Sequence, residues 1–262
     1  MAYLVIKLGG STIEELPGSF FNEINALKQA GCFPVIVHGG GPAINRLLQD
    51  RGISASFTDG LRVSTPEVVE SAEMVLSGSA NKHIVKLLEN AGVKAAGISG
   101  VDAGLFQPVP VNEVRYGQVA SVEQVDPHLI KLLTAAGITP VISPIAASGT
   151  VTYNINADEA AGACACALAA PLLFITDVEG VIDGRSGDLC RHLDPEMVET
   201  LIHDGIIYGG MIPKTKAVLR ALNEGVSEAV MVNGSNGNAL LNYFHKGEAG
   251  TIFRKENIYA EY

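Results

Sequence analysis

The chain has 262 residues, of which 47% are hydrophobic and 18% charged, a composition typical of a globular protein with a sizeable core, which excludes a disordered chain. Its net charge of −10 argues against a nucleic-acid partner, because a phosphate backbone would be repelled, but it permits a small anionic substrate where cations converge. The N-terminal stretch MAYLVIKLGG has no basic region, and its apolar run is too short to cross a bilayer, so we expect a cytoplasmic protein without a membrane partner.

Short apolar runs alternate with amphipathic stretches along the chain. The predicted strands are residues 3–8, 34–38, 93–99, 140–146, 172–178 and 228–234. The predicted helices are residues 20–30, 43–52, 66–92 and 158–170. This alternation favours an α/β fold: a three-layer α/β/α sandwich whose central, mostly parallel sheet is covered by helices on both faces.

Two segments, 104–122 and 149–161, lack helical spacing, and they predict hairpin structure inserted at the edge of the sheet. A boundary between two lobes is expected near residue 170.

The four cysteines, Cys32, Cys164, Cys166 and Cys190, form no C-x-x-C pair and have no histidine at metal spacing. We therefore expect small buried hydrophobic side chains rather than disulfides or a zinc site. No cluster of His, Asp or Glu predicts a protein-bound metal.

Lys7 stands inside the apolar strand of VIKLGGS, directly before two glycines. An unpaired buried ammonium group is costly, so an anion is expected beside it. Asp158 closes NINAD just before a predicted helix, and a second lysine, Lys214, follows a glycine pair in GGMIPK. Asp158 could cap the helix or pair with the lysines, and the residues alone leave both open.

Glycines follow several predicted strands, where open α/β sheets bind ligands. Gly9 and Gly10, and then 39–41, leave backbone N–H groups free to hold an anion near a helix N-terminus. Taken alone, three glycines after a strand more often form a tight turn, and neither a P-loop nor a dinucleotide-binding fingerprint is present.

Seven ordered segments carry a resemblance to a known family: IKLGGS, VIVHGGGPAIN, DGLRVS, SANK, NINADEAA, TDVEGVID and GGMIPKTKA. They resemble the amino acid kinase family from residue 3 to about residue 253. DGLRV and NINAD favour its acetylglutamate kinases over its aspartate, uridylate and carbamate kinases. The resemblance implies an enzyme that phosphorylates the side-chain carboxylate of N-acetyl-L-glutamate with ATP, in the second step of arginine biosynthesis.

The resemblance also implies roles for individual residues. Lys7 and Lys214 match the lysines along the transferring phosphoryl group, and Asp158 matches the carboxylate that orients both. Substrate would be held by Arg62 and Asn154 and by backbone groups of Gly40 and Gly41. The residues expected to contact nucleotide are Gly9, Gly10, Asp177, Val178, Glu179, Gly180, Val181, Ile182, Ile206, Ile207, Tyr208, Gly209 and Gly210.

The chemistry of these side chains agrees with the implied roles. A glutamate carboxylate, with a reference pKa of about 4.3, is ionised at neutral pH and needs no catalytic base. Arg62 offers a planar fork for a carboxylate, although it could be a surface ion-pair residue. Asn154 can read an acetamido group or lie in a turn. Val178, Val181 and Ile182 suit either an adenine wall or a core, and Mg²⁺ would arrive on ATP.

Two alternatives remain open. One is a kinase for a longer acetylated acidic substrate such as N-acetylaminoadipate, because one methylene changes specificity by only about 1–3 kcal/mol. The other is a non-catalytic metabolite-binding relative, which the presence of Lys7, Lys214 and Asp158 disfavours.

The resemblance implies an N-terminal lobe (1–170) for acetylglutamate binding and dimerisation and a C-terminal lobe (171–262) for ATP. The helix PEVVESAEMVLSG is the candidate for the contact in a homodimer, although its apolar side chains could face their own core; these are Val68, Val69, Met74, Val75 and Leu76. Arginine-inhibited hexameric relatives carry a helix before the first strand, which here begins at residue 3. We therefore expect insensitivity to L-arginine.

Overall fold

The computed structural model describes residues 2–255. Its strands are β1 (Ala2–Leu8), β2 (Cys32–His38), β3 (Phe57–Thr58), β4 (Leu61–Arg62), β5 (Ala95–Ser99), β6 (Phe106–Pro110), β7 (Val119–Val125), β8 (Thr139–Ser143), β9 (Ile145–Ser148), β10 (Val151–Ile155), β11 (Leu172–Thr176), β12 (His192–Leu193), β13 (Glu228–Asn233) and β14 (Thr251–Arg254). Its α-helices are α1 (Gly18–Gln29), α2 (Gly41–Asp50), α3 (Pro66–Glu73), α4 (Asn81–Asn90), α5 (Glu113–Tyr116), α6 (His128–Ala135), α7 (Ala157–Leu168), α8 (Pro195–His203), α9 (Met211–Asn223) and α10 (Ala239–Lys246). Within the described part of the chain, none of these helices combines the length and the apolar character needed to cross a membrane.

The central sheet has eight strands in the order β12-β14-β13-β11-β1-β2-β8-β5. Neighbouring strands are parallel except for the β13–β14 pair. Strand β1 pairs with β2 on one side and with β11 on the other. Its carboxyl end therefore lies between the ends of two parallel neighbours, where the strand order changes direction and open α/β sheets bind their ligands.

Helices cover both faces of the central sheet. Leu4, Ile6 and Leu8 of β1 pack in one buried cluster with side chains of α1, α4 and α10. Val5 points to the opposite face and packs in a second cluster with α7, α8 and α9. Alternation along a strand thus supplies both cores, and the predicted three-layer α/β/α sandwich is confirmed.

The single helix predicted over residues 66–92 is interrupted. Residues 74–80, MVLSGSA, form a π-helical segment between α3 and α4. Serine and glycine are weak helix formers, and Ser77 directs its hydroxyl to that of Ser143, 2.8 Å away, in the central sheet. The distorted segment places Leu76 against the loop after β2. A Cβ added to Gly40 in that loop would lie only 2.8 Å from Cδ2 of Leu76.

The hairpin segments form a sheet of their own, with the order β6-β7-β10-β9. Strands β6 and β7 are antiparallel, as the hairpin prediction requires, but the expected insertion at the edge of the central sheet is wrong. The predicted strand 140–146 is divided at Pro144, between β8 of the central sheet and β9 of the small one. Proline has no N–H to continue the ladder, so the chain can leave the first sheet there.

The candidate helix for a dimer contact is largely used within the protomer. Four of its five apolar side chains, Val68, Val69, Val75 and Leu76, are at most 5% exposed, while Met74 is 51% exposed. Three of the four pack against α2 in a buried cluster. The alternative that these four side chains face their own core is therefore confirmed, and a dimer contact of this helix stays a prediction that would have to use its exposed side chains.

The four cysteines are free thiols. Cys32 and Cys164 are buried, as predicted, whereas Cys166 and Cys190 are half-buried.

Candidate active site

Lys7 meets Asp158 at the carboxyl end of β1. Alternation puts Lys7 on the same face of β1 as Val5, the face that α7 covers. Its Nζ lies 2.7 Å from Oδ1 of Asp158, in the first turn of α7, and the two side chains are 17% and 32% exposed. The lysine inside the apolar strand thus has the anionic partner that its burial requires.

Asn156, not Asp158, caps α7. Its Oδ1 accepts hydrogen bonds from the backbone N–H groups of Asp158 and Glu159, at 2.8 and 3.4 Å. The N-cap interpretation of Asp158 is therefore wrong, because an asparagine two positions earlier already fills that role. NINAD contains both residues, so the capping signal was present in the sequence. Its consequence is that the Asp158 carboxylate is available to Lys7.

Lys214 pairs with a different carboxylate. Its Nζ, near the start of α9, lies 2.5 Å from Oδ1 of Asp177, which directly follows β11. The hydrogen bond from Lys214 lowers the pKa of Asp177. The carboxylate of Asp158 thus contacts Lys7 and not Lys214, whose partner is Asp177; the expected orienting role of Asp158 stays a prediction.

The two ion pairs line one cavity of about 280 Å³ together with Gly9. Lys7 and Asp158 reach it from β1 and α7, and Lys214 and Asp177 reach it from α9 and from the end of the neighbouring strand β11. Two ammonium groups that converge on a partly enclosed space are suited to stabilising the oxygens of a phosphoryl group.

The two glycine-rich loops touch each other. A Cβ on Gly10 would lie 2.7 Å from the backbone nitrogen of Gly40 and 2.8 Å from that of Gly41. This approach is closer than any side chain permits, so it requires glycine at position 10. Because α2 begins at Gly41, the loop after β2 also presents a helix N-terminus, which favours an anion.

A second cavity, of about 180 Å³, lies between the loop after β2, the β3–β4 hairpin and the end of β10. It is lined by all four residues expected to hold substrate: Gly40, Gly41, Arg62 and Asn154. The structure therefore brings together the substrate-side residues that the sequence singled out.

Arg62 is buried in the wall of this cavity, with 7% of its surface exposed. Its Nη2 donates to the carbonyl of Gly41 at 3.4 Å, and its guanidinium lies 4.7 Å from the centre of the Phe57 ring. Its buried Nη1 has no hydrogen-bond partner among the described residues. The surface ion-pair alternative is thus wrong, and a buried cationic donor is left for an anion to complete.

Asn154 lies near the end of β10, so its interpretation as a turn residue is wrong. Its Nδ2 donates to Oγ of Ser64 at 3.2 Å, and Ser64 donates in turn to the carbonyl of Arg62 at 2.8 Å. Ser64 therefore links the two substrate-side residues. It closes the DGLRVS segment, but nothing in the sequence indicates that its side chain would bridge to Asn154 on a distant strand.

His38, the last residue of β2, contacts the glycine loop that follows this strand. It is fully buried; its Nδ1 lies 3.0 Å from the carbonyl of Gly39 and its Nε2 lies 3.1 Å from Nδ2 of Asn81. Since Asn81 donates through Nδ2, Nε2 accepts, and the neutral ring carries its proton on Nδ1. Burial lowers the pKa of His38 to about 4. A histidine that ends an apolar strand before three glycines was the available signal.

The residues expected at the nucleotide are divided between surface and core. Val181, Ile206 and Ile207 are buried in the cluster under α7 and α9, which leaves their backbone, not their side chains, for a nucleotide. The core interpretation of Val181 is therefore confirmed. Ile182 and Tyr208 are exposed, by 43% and 73%.

The remaining nucleotide-side residues lie in the turns after β11 and before α9. Val178 is half-buried against the core. The Glu179 carboxylate accepts hydrogen bonds from Nδ2 of Asn233, at 3.1 Å, and Nδ2 of Asn236, at 2.9 Å. A Cβ on Gly180 would lie 2.4 Å from Oγ1 of Thr251, so this turn requires glycine.

The family of the chain follows from comparison with known proteins. Residues 2–233 match the model of the amino acid kinase family. The chain therefore belongs to the amino acid kinase family.

Its similar relatives include acetylglutamate kinases. That of Bacillus velezensis is 48% identical over 88% of this chain and 90% of its own length, and that of Geobacillus stearothermophilus is 43% identical over 97% and 96%. Among solved structures, smu.665 from Streptococcus mutans UA159 is similar with a TM-score of 0.82 and 28% identity, over 97% of this chain and 99% of its own. The resemblance to acetylglutamate kinases predicted from the motifs is confirmed.

Proposed function

We propose that the chain transfers the γ-phosphoryl group of ATP to the side-chain carboxylate of N-acetyl-L-glutamate, giving N-acetylglutamyl 5-phosphate and ADP in the second step of arginine biosynthesis. One observation carries the proposal: the cavity with Lys7 and Lys214 borders the glycine loop after β1, the cavity with Arg62 borders the glycine loop after β2, and these two loops touch each other. The names of the full-length relatives support the same reaction.

The chemistry needs alignment and charge stabilisation more than proton transfer. An oxygen of the substrate carboxylate attacks the γ-phosphorus, the bond to the bridging oxygen breaks, and ADP leaves with the electron pair. Lys7 and Lys214 stabilise the charge on the transferring group, while Asp158 and Asp177 hold the two ammonium groups in place. Backbone N–H groups of Gly10 and the loop after β2 complete the anion site.

Substrate recognition rests on Arg62 and Asn154. The unpaired Nη1 of Arg62 binds the α-carboxylate. Asn154 hydrogen-bonds the acetamido group, and the backbone of Gly40 and Gly41 approaches the carboxylate that reacts.

The nucleotide contacts the turns after β11 and before α9, through 177–182 and 206–210 together with Gly9 and Gly10. The carboxylates of Asp158 and Asp177 are each paired with a lysine, which fits an Mg²⁺ ion brought in by ATP and held mainly by its phosphates. When bound, the ion neutralises charge on the β- and γ-phosphoryl oxygens.

We assign acetylglutamate binding and dimerisation to an N-terminal lobe, 1–170, and ATP binding to a C-terminal lobe, 171–262; Met1 and residues 256–262 lie outside the described part of the chain. The enzyme works as a cytoplasmic homodimer. The proposed dimer does not use the four buried side chains of the helical segment 66–78.

Turnover with competing acceptors tests the proposal. ADP release from MgATP is measured with N-acetyl-L-glutamate, with N-acetylaminoadipate and without acceptor. We expect release that depends on acetylglutamate and is lower with the longer acceptor. A preference for N-acetylaminoadipate would show that the longer acceptor is the substrate. Acetylglutamate binding without ADP release would indicate a non-catalytic relative.

A further inference from the structure

The β3–β4 hairpin is a small element that needs outside support. Its two residue pairs, Phe57 with Arg62 and Thr58 with Leu61, form a two-stranded sheet that pairs with neither larger sheet. Its turn residues Asp59 and Gly60 both have positive φ, 51° and 82°, the geometry of a tight two-residue hairpin turn. An isolated two-stranded hairpin is at best marginally stable in water.

This hairpin nevertheless forms one wall of the substrate-side cavity. Phe57, Gly60, Leu61 and Arg62 all line that cavity. The position of the guanidinium, and of the aromatic ring beneath it, therefore depends on where the hairpin is held.

The chain around α5 holds the hairpin at its base. The backbone N–H of Ser64, just after the hairpin, donates to the carbonyl of Tyr116 at 2.8 Å, and that of Gln118 donates to the carbonyl of Ser64 at 2.7 Å. The approach requires Gly117, where φ is 67° and a Cβ would lie 2.3 Å from the carbonyl oxygen of Ser64.

A side-chain contact holds the hairpin at its tip. The hydroxyl of Tyr116 donates to Oδ2 of Asp59 at 2.7 Å, and Nη2 of Arg115 lies 2.5 Å from the same oxygen. Tyr116 is 8% exposed, whereas the side chains of the ion pair are 55% and 56% exposed. Both contacts use the same half-exposed carboxylate of Asp59, but the Tyr116 ring is fixed by burial while Arg115 is exposed, so we expect the tyrosine to be the better-ordered tie.

We infer that Tyr116 and Asp59 are positioning residues for substrate: their hydrogen bond holds the hairpin so that Arg62 faces the anion in the cavity. The inference rests on the proposed function, since it assigns the affected step to acetylglutamate binding. Neither side chain lines the cavity itself, so both act through Arg62. The lysine cavity contains no hairpin residue, whereas Asp59, Gly60 and Leu61 share a separate cavity with Asp158. The expected effect therefore falls mainly on KM for acetylglutamate and only weakly on kcat.

Tyr116→Phe tests this inference against a matched control. Removing the hydroxyl should raise KM for acetylglutamate about five- to tenfold, with kcat and KM for ATP changed less than about twofold. Asp59→Asn keeps an oxygen acceptor and suits the positive φ, so it should raise KM less. The control is Tyr153→Phe, whose lost hydroxyl donates from β10 to Glu113 at the start of α5, at 3.3 Å, and does not reach the hairpin.

Kinetics and melting temperatures of all three variants decide the outcome. A rise in KM for acetylglutamate in Tyr116→Phe that is absent from Tyr153→Phe, at similar melting temperatures, supports the inference. An unchanged KM in Tyr116→Phe, or an equal loss in both tyrosine variants, overturns it. If the wild-type protein itself does not turn over acetylglutamate, the proposed function fails instead.

Discussion

The amino group of Lys7 lies 2.7 Å from a carboxylate oxygen of Asp158, across the junction between the central sheet and α7. The pair joins residues 151 positions apart in the sequence, and it allows an ammonium group in an apolar strand without an unpaired buried charge. In the proposed reaction, phosphoryl oxygens share that ammonium group with Asp158.

Lys7→Ala should lower kcat about 10²–10³-fold with a small change in either KM, because its charge is needed most in the transition state. Steady-state kinetics measure the effect, with Lys86→Ala on the exposed surface of α4 as the control. Combining Lys7→Ala with Asp158→Asn should cost less than the product of the single losses, because the two side chains act as a unit. Near-wild-type turnover of Lys7→Ala would remove the lysine from the reaction.

Lys214→Ala should lower kcat by about the same factor of 10²–10³, but Asp177→Asn should lower it less than about tenfold. The Lys214–Asp177 pair is more exposed than the Lys7–Asp158 pair, at 36% and 63%, so solvent screens it and the lysine can reach phosphate without its partner. Parallel kinetics of the two variants check this. Equal losses would show that Asp177 is as necessary as the lysine.

Arg62→Lys should raise KM for acetylglutamate more than it lowers kcat, and should leave KM for ATP nearly unchanged. A lysine retains the charge but loses the planar fork and the contact with the Phe57 ring. Arg46→Lys is the control, since that arginine forms an exposed pair with Glu14. An increase confined to KM for ATP would move Arg62 to the nucleotide side.

Folding stability should decrease as the pH is lowered, because of the buried His38. Its folded pKa of about 4 lies below the ordinary value of 6.5, so the unfolded chain takes up the proton first as pH falls. Stability present above about pH 6.5 is therefore lost towards pH 4, by about 3 kcal/mol in total.

Urea unfolding between pH 7 and pH 4 checks this prediction, with His38→Gln as the comparison. The variant should show a smaller loss across this window, while carboxylates common to both proteins contribute equally. In the wild-type protein, NMR of the His38 ring should show no titration above about pH 5. A His38 resonance that titrates near pH 6.5 would contradict the prediction.

Much of the fold was predictable because the period of the apolar residues determines which face of each element is buried. The alternation in YLVIKL puts Lys7 on the α7 face, and NINAD places a carboxylate at the start of α7. The division at Pro144 between two sheets was not predicted, because an apolar run alone does not show which sheet its residues join.

The contacts that hold the site together were less predictable. Asp59 and Tyr116 are 57 positions apart, and although Asp59 begins the DGLRVS segment, nothing in the sequence pairs it with Tyr116. The Lys214–Asp177 pair was missed for a related reason: two carboxylates lie near the lysines, and only their three-dimensional placement assigns each to its partner. Long-range side-chain geometry has no periodic signature in the sequence.

Trapping the product with hydroxylamine tests the central claim most directly. The protein is incubated with MgATP, N-acetyl-L-glutamate and hydroxylamine, which converts an acyl phosphate into a stable hydroxamate. We predict N-acetylglutamyl hydroxamate in amounts equal to the ADP formed, and about 10²–10³-fold slower formation with Lys7→Ala. ADP formed without hydroxamate, or no ADP at all, would contradict phosphoryl transfer to the carboxylate.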